Sequence, residues 1–149
     1  MTIGSLASAV GRGLLAGAIG TAAMTLSSTL EMKLRGRPGS SAPADAASKV
    51  LGVEPIDEAA EARFSTLVHW GYGTAWGAVR GLLGGIGLGG RSATAVHFAA
   101  IWGGSLVMLP ALDVSPPASE MEPTELAIDA AHHLVYVVVT ALAYWALKD

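Results

Sequence analysis

The sequence predicts an all-α integral membrane protein: an antiparallel bundle of four spanning helices with one short extra helix in the first loop. Three observations carry that expectation. More than half of the 149 residues are apolar, only 14% are charged, and the mean hydropathy is +0.50. Soluble domains usually carry about 25% charged residues, so this chain lacks the polar side chains that a water-facing surface needs. Four segments, about 10–32, 63–85, 92–112 and 126–147, each supply the roughly 20 mostly apolar residues of a spanning helix. The connections between them hold the prolines, the clustered glycines and most of the charge. Residues 1–149 therefore read as a single transmembrane domain.

Each element has its own signals. Arg12 ahead of "GLLAGAIGTAAMT" has the look of a signal peptide, but the apolar pattern continues past Ala23, which makes this a retained first span. Loop one opens with the basic "KLRGRPG" and continues as "SSAPADAASKVLG". There Ser41 has the chemistry of a helix cap, Pro43 suits a first turn, and Gly52 stands where a helix stops. After the second span, "GIGLGGR" predicts a tight glycine turn. The prolines of "DVSPPASEMEPTE" exclude a continuous helix in loop three, and Ser119 with Glu122 has the spacing of a capping box opening the fourth helix.

Four spans put loops one and three on one side, and the termini and loop two on the other. Lys33, Arg35, Arg37, Lys49 and Arg63 then face one side, and Arg12, Arg80, Arg91 and Lys148 the other. That near balance leaves orientation to the absence of basic residues from loop three, which favours cytoplasmic termini.

Glycine recurs at four-residue steps in the second span, at Gly73, Gly77, Gly81 and Gly85, and in the first at Gly13 and Gly17, with Ala16 and Gly20 beside them. Small residues at that spacing line one helix face and let backbones approach, which matters in lipid because burying apolar surface there brings no hydrophobic gain. The partner of such a face is either another helix of the same chain or a second subunit.

Polar residues fall on or beside the same faces. The second span carries His69, Tyr72, Trp76 and Arg80, and Arg80 lies near the helix end, from where it could snorkel to the headgroups. The fourth carries Asp129, His132, His133, Tyr136, Thr140 and Tyr144. The first adds Thr21, Thr25, Ser28 and Glu31, and the third adds His97 and Ser105. Counted by depth, Glu31, His69, Asp129, His132 and His133 lie within a few turns of the side holding loops one and three. His97 counts as near the opposite face, outside that cluster.

Ionisable groups inside a span are costly and count as functional candidates. Three roles are open to the cluster of Glu31, His69, Tyr72, Asp129, His132, His133 and Tyr136. Its members could be interhelical hydrogen-bond glue. They could form a metal site for iron, zinc or copper through His69, His132 and His133, or a haem site through His69 and one of the paired histidines. They could also bind or conduct a small cation or a proton, the role preferred here, with a redox subunit second and a structural accessory subunit third.

Other classes find little support. Without cysteine the chain cannot form disulfides, a zinc thiolate site or an iron–sulfur cluster. A net charge of −3 with no block of like charge gives no footing for nucleic acid. "GLLGGIGLGG" follows no strand and precedes no Lys-Ser/Thr pair, so it is no nucleotide-binding loop, and no GxSxG elbow marks a hydrolase. Non-enzymatic function is the expectation, with the lipid bilayer and either a second copy of the chain or a membrane complex as partners.

The run "GLLAGAIGTAAMTLSSTLEMKLRGRPGSSAPADAASKVLG", together with "LVHWGYGTAWGAVRGLLGG", resembles small bacterial inner-membrane proteins of the YagU-like family. The resemblance covers the first three-fifths of the chain. It implies a bacterial inner membrane and brings no catalytic residues with it.

Overall fold

A computed structural model describes residues 2–147; Met1, Asp149 and Lys148, the last counted above with the terminal side, lie outside the described residues. Those residues form helices and connecting turns: α1 (Ile3–Arg35), α2 (Ala42–Leu51), α3 (Glu58–Gly85), α4 (Gly90–Ala111) and α5 (Pro123–Ala146). Three of them, α1, α4 and α5, are long and apolar enough to cross a membrane. The fourth long helix, α3, is more polar: Glu58, Glu61 and Arg63 stand in its first turns, and glycines, His69, Tyr72 and Arg80 follow them.

Helix ends follow local chemistry. Thr2 and Ser5 close a capping box on α1, a signal hidden in sequence because the apolar pattern starts later. Gly36 ends α1 and Gly52 ends α2, both left-handed, which glycine adopts without a Cβ clash. The hydroxyl of Ser41 makes no cap bond. The expected capping box before α5 does not form: Pro123 begins that helix with Glu122 as its cap, leaving Ser119 upstream in a 3-10 turn. In the α3–α4 connection Gly87 and Gly90 take positive φ, which gives the tight glycine turn its reversal.

Midway along α4, residues Ala99–Gly103 widen into a π turn. Such a bulge shifts the register of the side chains that follow it.

Small and polar residues pack inside around a core of Ile101, Tyr136 and Val137, and large apolar residues stand outside. Ala9, Ala16, Thr21 and Thr140 are buried, whereas Leu26 and Val107 are each 72% exposed, in company with Leu15, Leu34, Leu67 and Leu142. Exposed leucines in that number suit an apolar solvent or a partner.

At the centre, α1 and α3 meet backbone to backbone and run antiparallel, Gly13 lying against Gly77 and Gly81, and Gly17 against Gly77 and Thr74. A Cβ added to Gly77 would lie 2.6 Å from the Gly17 Cα, and one added to Gly81 would lie 2.8 Å from the Val10 Cα. Neither position has room for a side chain. On the other flank of α1, Gly20 admits Tyr136 and Thr140 of α5. Outside the long helices, Lys49 of α2 donates to the carbonyls of Leu112 (2.5 Å) and Asp113 (3.1 Å) at the end of α4, so loop one and loop three share a side.

Gly77→Ala is expected to force α1 and α3 apart and to lower stability in detergent by about 1–3 kcal/mol, the cost of overpacking a filled interface. Gly71→Ala serves as the control, because a Cβ there meets nothing within 4 Å. Thermal unfolding of the two variants beside wild type reads the difference.

Candidate functional site

Where loops one and three meet, the last turn of α1 packs against the first turns of α5. The network there is ionic. Glu31 accepts from Arg35 (3.0 Å) and from Arg37 Nε (2.9 Å), and the second Arg37 nitrogen closes a fork on the same carboxylate. Arg35 turns its other side to Glu125 of α5, again through two nitrogens. Charge-assisted, two-pronged pairs of this kind fix geometry better than single contacts do. The carboxylate also pushes Arg37, in the loop beyond α1, further above its ordinary value.

Behind that network lies His132. Its Nδ1 shares a 2.8 Å hydrogen bond with the Ser27 hydroxyl, and its Nε2 stands 3.7 Å from a Glu31 oxygen, buried and without a hydrogen-bond partner of its own. Ser27, His132, Glu31 and Arg37 thus form a chain from the helix interface to the loop.

The other candidates fall elsewhere. His69 of α3 shares a 2.8 Å bond with Thr25 of α1, which passes its own proton to the Thr21 carbonyl. Thr25 and Ser27 are two residues apart and so point about 200° apart around the helix. His69 and His132 therefore attach to opposite flanks of α1. His133 faces away from both, with Nδ1 2.9 Å from the Asp129 carbonyl and 3.4 Å from its carboxylate. Asp129 in turn accepts from the indole of Trp102, which lies within the π turn of α4, at 2.9 Å. Tyr72 is partly exposed and sets its ring edge against Trp76.

His97 of α4 packs against α3 and α5. It is fully buried, bonds the Trp76 carbonyl at 3.0 Å, and lies 5.7 Å from the Tyr136 ring. Tyr136 itself donates to the Gly73 carbonyl at 2.6 Å, joining α5 to α3 at the level where glycine leaves that carbonyl accessible.

Arg80 departs from its sequence reading. Rather than snorkelling, it is only 5% exposed, with its guanidinium 4.5 Å above the Tyr144 ring. Gly84 leaves the space that this ring fills, since a Cβ there would meet the Tyr144 hydroxyl at 2.5 Å.

The polar cluster expected from sequence is thus several separate pairs, each bridging two helices or closing on one. Among the described residues, no group of three or more His, Asp or Glu side chains is placed to hold a metal ion. Two imidazoles on opposite flanks of α1 do not form an axial pair for haem. Compared with known proteins, the chain matches no family model, no curated protein and no solved structure.

Tyr136→Phe is expected to keep the fold and to cost about 0.6 kcal/mol, and at most about 1.7, the measured range for interhelical bonds in membrane bundles. Unfolding of the variant in detergent, with α-helical content as the readout, checks that value.

Proposed function

We propose that this chain is an integral membrane protein of four antiparallel spans whose interior polar chain binds a proton between His132 and Glu31. The four-span reading gains support from α3. Its 28 residues reach about 42 Å at 1.5 Å per residue, enough to cross, and it lies along α1, itself a span by length and composition. Its charged first turns would stand at the loop-one side with α2. Both termini then share the other side, and the YagU-like resemblance supports a bacterial inner membrane.

A proton suits the site better than a metal cation. The Glu31 carboxylate already accepts from Arg35 and Arg37, which leaves few free lone pairs for a metal ion's ligand shell, while one of its oxygens still faces His132 Nε2. The observation that carries the reading is the unpartnered, buried Nε2 of His132 at 3.7 Å from Glu31. A proton there turns a long, neutral approach into a charge-assisted contact, while Ser27 holds the ring by its other nitrogen. Deeper in the bundle, Tyr136 spends its proton on the Gly73 carbonyl, which supports a binding site more than a continuous conducting path.

The competing reading is a structural accessory subunit, favoured by the way Thr25–His69, Ser27–His132 and Trp102–Asp129 each tie two helices together. Proton uptake by the detergent-purified protein on acidification, read with a pH-indicator dye, separates the two. Proton binding at His132 predicts that His132→Gln, which keeps an amide for Ser27, takes up fewer protons than wild type. Equal uptake by wild type and variant would reject proton binding and leave the structural reading.

A further inference from the structure

At the opposite end of the molecule a cleft of about 170 Å³ is lined by Arg80, Gly84, Gly87, Leu88, Gly89 and the aromatic pair Tyr144 and Trp145. We propose that this cleft is a binding site for a phosphate group. Arg80 carries the argument. Its side chain is more than nine-tenths buried, it lines the cleft, and its Nε and Nη1 have no hydrogen-bond partner. The Tyr144 ring orients the guanidinium from one face without satisfying those N–H groups. A guanidinium with donors unused on both of its edges has the charge and the hydrogen-bonding capacity that a phosphate group needs.

The glycine turn supplies the second half of the site. Gly89 caps α4, and no side chain accepts from the first N–H groups of that helix. Those groups form the positive end of a helix, where anions gain both hydrogen bonds and a favourable dipole. Gly87, Gly89 and Gly90 leave open space where side chains would stand, so an anion can approach the backbone. The surrounding charge agrees: the chain carries no Asp or Glu between Glu61 and Asp113, and Arg12 also approaches the Tyr144 ring, at 5.7 Å. The strand and lysine of a nucleotide-binding loop are missing, and this cleft requires neither. It recognises the phosphate alone, whose source is either a phospholipid headgroup or free phosphate, at the level where Trp145 is exposed to an interface.

Equilibrium binding of radiolabelled inorganic phosphate to the detergent-purified protein, and native mass spectrometry after adding phosphatidylglycerol, test the proposal. Either saturable phosphate binding or retained phosphatidylglycerol is expected, the first naming free phosphate and the second a headgroup. Arg80→Gln should weaken whichever occurs at least tenfold. Gly89→Asp guards against simple misfolding, because its backbone is extended, its surroundings are open and aspartate is a preferred helix cap. That carboxylate would fill the anion's place, so this variant should fold at least as well as wild type and lose binding. The proposal is overturned if neither ligand binds, or if a folded Gly89→Asp protein binds as wild type does.

Discussion

The backbone contact between α1 and α3 is the constraint on which the remaining packing depends. Gly13 and Gly17 meet Gly77 and Gly81 with no side chain between them. Helices in lipid gain nothing from hiding apolar surface, so their association rests on dispersion between closely set atoms and on interhelical hydrogen bonds. Both require short separation. Once α1 and α3 are that close, Thr21 fits against Gly73, and the Gly73 carbonyl comes within reach of the Tyr136 hydroxyl from α5. Gly20 then accepts the backbone and ring of Tyr136 on the other side of α1. Three helices are thus fixed by a few positions that lack side chains, and α4 completes the group through His97 and Trp102.

The two ends of this framework have opposite electrostatic character. At the end with loops one and three, acids outnumber bases and these bases find partners: Arg35 and Arg37 with Glu31, Arg35 also with Glu125, Lys49 with carbonyls at the end of α4. His132, buried just behind, is the group there with hydrogen-bonding capacity to spare. At the other end, Arg80 is buried against an aromatic ring with donors unused, beside an uncapped helix start. A proton site and an anion site at opposite ends make a consistent reading of one asymmetric molecule.

Much of this was legible in the sequence, and the part that was not has physical reasons. Hydropathy and length located the long helices, and Gly52 marked the end of α2. Boundaries slipped where charge rather than apolarity begins a helix, as at Glu58 and Glu61, whose acidic side chains suit a helix N-terminus. The capping box of Ser119 and Glu122 was overruled by Pro123, which is best placed at the first helical position. Spacing put His69, His132 and Asp129 on helix faces but could not say which neighbour each face meets. Thr25 and Ser27 both lie on α1, yet they serve different helices, and that divides the expected cluster. Arg80 looked free to reach the headgroups because nothing local reveals that Gly84 admits the Tyr144 ring beneath it.

Because the chain has no cysteine, introduced pairs report proximity cleanly. A Cβ at position 73 would lie 3.2 Å from the Thr21 Cβ, close to the roughly 3.5–4.5 Å span of a disulfide. The most direct measurement is therefore oxidative cross-linking of a Thr21→Cys, Gly73→Cys double variant in native membranes, read by non-reducing electrophoresis. Packing of the glycine faces within one chain predicts rapid cross-linking to a compact monomer. Cross-linked dimers, or no bond at all, would contradict it and assign those faces to a partner.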